Sequence, residues 1–164
     1  CAILAKKLMK SRLPMVIVSG PSSTAAEMSR WRGLIRTTGL KDVRLLKSTP
    51  DFFKMLSGCA VSAGTAGGTV YEALYLNRRS VLIPFKGSPG AERSDQLALA
   101  AMLRDLAGAA VLDYDALTPA RLAAAIDGAL KDNSPGFAPP PEVFSGAEIF
   151  ASVVRLDMEE AGPV

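Results

Sequence analysis

A run of small and hydroxylated residues, rich in glycine, lies between residues 62 and 72. It follows a short apolar stretch and reads Ser-Ala-Gly-Thr-Ala-Gly-Gly-Thr-Val-Tyr-Glu. Gly64, Gly67 and Gly68 allow a ligand to approach the backbone closely, and free N–H groups at the start of a following helix attract anions. The segment therefore predicts an anion site that suits a diphosphate.

Glu72 ends this run and falls near the first turn of the helix that the run opens. A carboxylate at that place can accept two hydrogen bonds from vicinal hydroxyls, such as those of a ribose. An acidic residue there equally complements the helix dipole. From the residues alone, both interpretations of Glu72 stay open.

Two common nucleotide-binding motifs are absent from the segment. No lysine follows the glycines, so the loop is not that of a P-loop NTPase. The spacing of Gly64, Gly67 and Gly68 also fails the G-x-G-x-x-G pattern. This spacing argues against an NAD-binding protein.

The chain contains no histidine, which removes the commonest general base and most metal sites. Its two cysteines, Cys1 and Cys59, lack metal-ligand spacing, and we expect Cys59 to be a small buried residue. Asp113 and Asp115 have Asp-x-Asp spacing, but their place before a helix start favours a solvated turn. We therefore expect no metal site and assign no catalytic residue.

Length and composition bound the class of protein. The chain has 164 residues, of which 49% are hydrophobic and 21% charged, as in one compact globular domain. Its net charge of +3 comes from scattered basic residues, which is not the pattern of a nucleic-acid-binding surface. It has neither a transmembrane-length apolar run nor the layout of a signal peptide, so we expect a cytoplasmic location.

Helix and strand patterns alternate along the chain. Short apolar strands separated by amphipathic helices predict an α/β fold, a Rossmann-like parallel sheet flanked by helices. The predicted strands are 15–18, 43–46, 59–62, 80–84 and 109–112; the predicted helices are 1–12, 24–38, 52–56, 69–77, 92–106 and 119–130.

The patterns also predict the domain boundaries. Residues 1–131 form the Rossmann-like domain, residues 132–145 are a linker rich in proline and glycine, and residues 146–164 contain a terminal helix and tail. The domain opens on a helix pattern, where such folds usually begin with a strand. We expect a first strand to precede it, and a domain that begins with a helix is the alternative.

Several weak motifs, taken in order, resemble one family. Residues 59–74 resemble the C-terminal domain signature of MurG-type glycosyltransferases, an apolar strand, a Gly/Ala turn and a glutamate. Residues 81–85 look like the next strand of that family, which ends in proline. Asp95-Gln96 resembles its glutamine-bearing helix start, and residues 117–122 its final domain helix. The match covers most of residues 15–130.

The resemblance implies a GT-B fold, in which the C-terminal of two Rossmann-like domains binds a nucleotide-sugar. Glu72 would then bind the ribose, and Asp95 with Gln96 the sugar, although the family usually has a glutamine where this chain has Asp95. The base would lie against residues 48 and 49. The residues implied for nucleotide-sugar binding are Ser48, Thr49, Gly64, Thr65, Ala66, Gly67, Gly68, Thr69, Glu72, Asp95 and Gln96.

By the same resemblance, the expected activity is inverting transfer of a hexosyl group from a UDP-sugar, with no cofactor. The acceptor site and the general base would come from an N-terminal domain or a partner chain, which would also make any peripheral membrane contact. Two alternatives stay open: a non-catalytic or split-subunit nucleotide-sugar-binding module, and a GT-B-type epimerase or hydrolase.

Overall fold

The computed structural model describes residues 1–88, 91–92, 94–107 and 109–132. The predicted terminal helix, 146–159, and all but the first residue of the predicted linker lie outside the described residues. Within the described part, helices and strands alternate as the sequence predicts. In chain order the elements are α1 Ala2–Leu8, β1 Met15–Val18, α2 Ala25–Thr38, β2 Val43–Leu46, α3 Phe52–Ser57, β3 Val61–Gly64, α4 Thr69–Tyr75, β4 Arg79–Leu82, β5 Gly87–Ser88, β6 Ala91–Glu92, α5 Ser94–Ala107, β7 Ala110–Val111 and α6 Pro119–Lys131.

The long-range strand pairs are all parallel. β1 pairs with β2, and β3, β4 and β7 form a second set in that order. β5 and β6 form a small antiparallel hairpin that the sequence patterns do not predict. Parallel strands joined through helices confirm the predicted α/β, Rossmann-like class.

Strand β4 shows why these strands carry apolar residues on both faces. Side chains alternate between the two faces of a strand, and helices cover both faces of this one. Val81 packs with α1 and α6, whereas Leu82 packs with α4 and α5 on the other side. Both residues are almost fully buried, so a polar side chain at either position would be cut off from water.

Helix α1 is shorter than predicted because the residues after it bind α6 instead of continuing the helix. The helix ends at Leu8, and the N–H groups of Lys10 and Ser11 donate to the Asp127 carboxylate of α6 at 2.7 and 3.1 Å. Lys6 is buried, and its ammonium donates to the Leu13 carbonyl and pairs with Asp42 at 2.7 Å. These contacts fix α1 against α6 and the start of β2. No helix in the described residues is long and apolar enough to span a membrane.

Candidate functional site

The glycine-rich segment joins strand β3 to helix α4. β3 runs from Val61 to Gly64, two residues later than the predicted strand 59–62. Gly64 therefore belongs to the strand, paired with Leu82 of β4, and the turn is limited to residues 65–68. The turn lies at the carboxyl end of a parallel strand, where α/β folds bind ligands.

The turn leaves several backbone donors unused. Among the described residues, the N–H groups of Ala66, Gly68 and Thr69 donate to no protein acceptor, whereas that of Gly67 donates to the Thr65 carbonyl at 2.9 Å. Gly68 occupies the N-cap position of α4 without a side-chain cap. Successive free N–H groups in a turn form a concave anion site.

Side chains around the turn divide into exposed and buried. Thr65 and Thr69 are exposed, so their hydroxyls can reach a ligand. Ala66 is 2% exposed and packs with Val70 and Leu74, so it offers a ligand its backbone alone. A Cβ added to Gly68 would meet no atom within 4 Å, and this open space lies beside the free donors.

Glu72 lies on the first turn of α4 and is half-buried. Within the described part of the chain, its carboxylate makes no hydrogen bond or ion pair. α4 has only seven residues, so its dipole is a weaker reason for a carboxylate than it is in a long helix. The arrangement favours a carboxylate held ready to accept from a ligand.

Gln96 is buried and hydrogen-bonded within the protein, which the sequence does not predict. It is 5% exposed, and its Oε1 accepts a hydrogen bond from the backbone N–H of Phe85 at 3.0 Å. The resemblance implies that Gln96 faces the sugar. The bond from Phe85 uses one lone pair of the amide oxygen and ties α5 to the segment that follows β4, so the Nε2 donors and the second lone pair remain for that role. Its neighbour Asp95 is exposed.

Ser48 and Thr49 follow the carboxyl end of β2, as the glycine-rich turn follows that of β3. Ser48 is exposed and Thr49 is half-buried. The Thr49 hydroxyl accepts from the backbone N–H of Asp51 at 3.2 Å and closes the turn into α3. β2 pairs with β1 whereas β3 pairs with β4, so among the described residues this turn and the glycine-rich turn follow strands of two separate sheets.

The sequence offers two cations near this loop that could reach a phosphate, Lys86 and Arg93, and Lys86 is already paired. Lys86 contacts Asp113 at 3.1 Å and Asp115 at 2.6 Å, and hydrogen bonds to these carboxylates raise its pKa. The Asp115 backbone N–H and Lys86 lower the pKa of Asp113. The two aspartates therefore bind Lys86 instead of forming only a solvated turn. The other candidate cation, Arg93, lies outside the described residues.

An open groove of about 340 Å³ lies beside this ion pair, between α5 and β7. It is lined by the apolar side of α5, including Leu97 and Ala101, and by Tyr114. None of the predicted nucleotide-sugar residues lines it. We therefore place the candidate site at the glycine-rich turn, where free donors and an unpaired carboxylate meet.

The sequence predicts a cap for α2 among residues 22–24, but not the part that Glu27 plays in it. Thr24 and Glu27 form a capping box at the start of α2: the Thr24 hydroxyl accepts from the Glu27 N–H, and the Glu27 carboxylate accepts from the Thr24 N–H. The signal was present, since Thr-x-x-Glu before an apolar helix is the pattern of this cap. The loop before it contains Gly20 at φ +93° and Ser23, whose hydroxyl donates to the Ser19 carbonyl.

A parallel Rossmann-like sheet with a glycine-rich turn at a strand end places the chain among the α/β domains, in which such turns commonly bind ligands. No established family profile matches the chain. It is 31% identical over 116 residues to a protein of Methylorubrum extorquens (strain PA1) named UDP-N-acetylglucosamine–N-acetylmuramyl-(pentapeptide) pyrophosphoryl-undecaprenol N-acetylglucosamine transferase. A protein of the same name from Methylorubrum populi is 30% identical over 116 residues. These alignments cover 71% of this chain and 30% of each relative.

Solved structures agree on the fold. MurG of Acinetobacter baumannii superposes with a TM-score of 0.65 at 19% identity, over 79% of this chain and 35% of that one. The glycosyltransferase VinC, solved in complex with dTDP, superposes with a TM-score of 0.61 over 80% of this chain and 29% of that one, also at 19% identity. The chain is a MurG-type domain of the GT-B fold, which confirms the resemblance drawn from its sequence. It spans about 30% of the length of the curated relatives it matches.

Proposed function

We propose that this chain is the nucleotide-sugar-binding part of an inverting glycosyltransferase that transfers a hexosyl group from a UDP-sugar. The observation that carries the proposal is the turn between β3 and α4. Free N–H groups at Ala66, Gly68 and Thr69 stand beside Glu72, a carboxylate that binds no described residue. Donors for a diphosphate and an acceptor for ribose hydroxyls therefore lie one helical turn apart.

The diphosphate is the leaving group of the proposed reaction. Negative charge grows on it as the bond to the anomeric carbon breaks, and backbone donors aimed at that charge stabilise the transition state. The Thr65 and Thr69 hydroxyls, both exposed, add donors on the same side. In this proposal the backbone and hydroxyl donors of the turn carry the leaving-group stabilisation.

The sugar would lie toward α5. The Gln96 oxygen accepts from the Phe85 N–H, and the amide nitrogen remains to donate to a sugar hydroxyl. The same hydrogen bond fixes the orientation of the amide. A donor held in place by burial selects hydroxyl position more strictly than a mobile surface side chain does.

In this proposal, the acceptor binds outside this domain. A second domain or chain would supply the acceptor site and the base that deprotonates the attacking hydroxyl. This division agrees with the 30% coverage of the relatives. It also predicts that the 164-residue chain binds the donor without transferring sugar.

Calorimetric titration with UDP, UDP-N-acetylglucosamine, dTDP and NAD tests the proposal. The relatives' names include the second ligand, and VinC was solved with dTDP. We expect binding of UDP and of the UDP-sugar, weaker binding of dTDP and none of NAD. Failure of every uridine and thymidine diphosphate to bind would overturn the proposal.

A further inference from the structure

Helix α1 presents apolar side chains to solvent and buries a charged one. Leu4 is 40% exposed and Leu8 is 55% exposed, whereas Lys6 is 6% exposed. Leu4, Lys7 and Leu8 are three and four residues apart, so they share one face of the helix, and Lys7 is exposed as well. The solvent face of α1 therefore carries two leucines around a lysine, the opposite of an ordinary surface helix.

Contacts on the inner side of α1 hold the helix in this orientation. Ala5 is fully buried against α6. The Lys6 ammonium donates to the Leu13 carbonyl at 2.6 Å and pairs with the Asp42 carboxylate at 2.7 Å. A rotation of α1 that buried the two leucines would break these contacts. The exposure of the leucines is therefore a consequence of how the helix packs.

The segment after α1 extends this surface. Leu13 is 49% exposed, and its carbonyl accepts from Lys6, so the residue lies beside α1. Lys10 and Arg12 are exposed too. Single exposed leucines are common, but three of them on one short helix and the segment bound to it form a patch, and such patches mark interaction sites. We call this surface the α1 patch; it consists of Leu4, Lys7, Leu8, Lys10, Arg12 and Leu13.

Positive charge is concentrated near the α1 patch. Residues 1–54 contain eleven lysines and arginines and three acidic residues, whereas residues 55–164 contain eight and thirteen. Helix α2, which contacts α1, exposes Arg30, Arg32 and Arg36. Within the described part of the chain, these arginines and the cations of the α1 patch form no side-chain ion pair. Basic residues that look scattered in the sequence therefore lie on two neighbouring helices, with their charge uncompensated.

We propose that the α1 patch binds the surface of a membrane that contains anionic lipids. A helix that lies on a membrane places apolar side chains at the boundary of the acyl chains and cations against the lipid phosphates. The α1 patch offers both kinds of side chain next to each other. A nucleic acid would bind the cations but would gain nothing from three exposed leucines.

The proposal differs from the family resemblance in where it places a membrane contact. The resemblance assigns any such contact to an N-terminal domain or a partner chain, whereas the α1 patch belongs to this domain. The patch contains none of the residues proposed for nucleotide-sugar binding. It leads into the start of β1, whereas the glycine-rich turn follows the end of β3. Membrane binding and UDP binding are therefore separate measurements on one chain.

Sedimentation with lipid vesicles tests the proposal. We expect the chain to bind vesicles of phosphatidylcholine with about 30 mol% phosphatidylglycerol, and to bind pure phosphatidylcholine at least about tenfold more weakly. Leu4→Gln combined with Leu8→Gln should weaken binding to the anionic vesicles about tenfold, because it removes the apolar contact and keeps the charge. Lys7→Gln combined with Arg12→Gln should also weaken it, and binding of the wild type should fall as salt is added.

Met102→Gln is the matched control, because Met102 of α5 is 45% exposed and lies outside the α1 patch. It should bind vesicles as the wild type does. Every variant should keep the melting temperature of the wild type, so that a loss of vesicle binding is not a loss of fold. If the double leucine variant melts lower, Leu8→Gln alone, at the more exposed position, decides.

Three vesicle results would overturn the proposal: no binding of the wild type to anionic vesicles, equal binding to both kinds, or unchanged binding in the leucine variants. Unchanged binding in the leucine variants with a loss in the charge variants would indicate a purely electrostatic surface, such as one for nucleic acid. A dimer that the leucine changes dissociate would also overturn it, because a second copy would then cover the patch. Failure of UDP to bind would overturn the proposed function and leave the vesicle result unaffected.

Discussion

Helices α2 and α4 begin in similar places in the fold, but the free backbone N–H groups at their starts are treated differently. Each follows the carboxyl end of a parallel strand, and each carries a glutamate near its start. At α2 the Thr24 side chain accepts from the Glu27 N–H at 3.2 Å, and the Glu27 carboxylate accepts from the Thr24 N–H at 2.8 Å. At α4 the N-cap residue is Gly68, which has no side chain, and Glu72 binds no described residue.

One residue of spacing accounts for the difference. Glu27 stands three residues after its cap, the distance from which a glutamate reaches back to the cap N–H. Glu72 stands four residues after Gly68 and lies past that position. The first helix start is closed by its own side chains, whereas the second leaves backbone donors and a carboxylate without partners among the described residues. The comparison therefore separates a capped helix start from the open one at which we propose that the ligand binds.

Removing the Glu72 carboxylate should produce the largest effect on binding. We expect Glu72→Ala to weaken UDP binding by about 1–3 kcal/mol, the range for a lost hydrogen bond to a charged group. The melting temperature should stay within about a degree, because the carboxylate has no partner to lose. Calorimetry and thermal unfolding measure the two quantities on the same sample.

The matched variant is Glu27→Ala, which removes a first-turn glutamate from the closed helix start. It should lower stability and leave the affinity for UDP unchanged. Equal loss of affinity in both variants would show that a general electrostatic effect, and not a contact at Glu72, governs binding. An unchanged affinity in Glu72→Ala would return this residue to a helix-dipole role.

A methyl group at Gly68 should give the next largest effect. Its φ of −53° is ordinary, and the added Cβ meets no protein atom within 4 Å, so Gly68→Ala should fold without strain. The methyl group instead enters the space in which we place the diphosphate. We expect UDP affinity to fall about tenfold, equivalent to roughly 1.4 kcal/mol, while stability is kept or rises slightly.

Gly33→Ala is the control for that substitution. Gly33 lies within α2, and a Cβ there also meets nothing within 4 Å. The variant should gain about 0.5–1 kcal/mol of stability from reduced backbone entropy, with no change in UDP affinity. If Gly68→Ala behaves in the same way, the ligand does not approach the turn.

Much of the fold could be read from the sequence because its signals are local. β1 and β2 have the predicted bounds, since each is a short apolar run between strong turn residues. The strand predicted at residues 59–62 begins two residues too early, because the apolar residues from Cys59 resemble a strand. Its true start is set by pairing of Val61 with Arg79, a contact with another strand that no local pattern contains.

The candidate site was also predictable only in part. The glycine-rich turn and Glu72 are visible in the sequence, because small residues and a carboxylate carry their own chemistry. The engagement of the Gln96 oxygen by Phe85 and the pairing of Lys86 with Asp113 and Asp115 are not visible. These contacts join segments from different strands and helices, so only the packed sheet brings them together.

The closed start of α2 should contribute to stability by about 1 kcal/mol through its Thr24 cap, within the usual range of 0.5–2 kcal/mol. We expect Thr24→Ala to lower the free energy of unfolding by that amount in urea titrations, with UDP affinity unchanged. The corresponding change cannot be made at α4, where Gly68 has no capping side chain. A loss of UDP affinity in Thr24→Ala would show that the two helix starts are not functionally distinct.

The smallest expected effect is the pH dependence of the Glu27 cap. The hydrogen bond from the Thr24 backbone lowers the pKa of Glu27 in the folded protein, and the Thr24 hydroxyl lowers it further. A lowered folded pKa means that the stabilisation is present above the unfolded value, roughly 4.3, and is lost as the pH falls through the folded value. The difference in urea midpoint between wild type and Glu27→Gln should therefore be constant near neutral pH and shrink in acid.

The Thr24→Ala background provides the control for this measurement. Without the Thr24 hydroxyl, Glu27 keeps only its bond to the backbone N–H, so Glu27→Gln should show a smaller pH-dependent difference there. Comparing the four proteins gives the coupling between the two side chains directly. A difference that grows in acid, or one that is identical in both backgrounds, would contradict the assignment of Glu27 to a closed cap and weaken its contrast with Glu72.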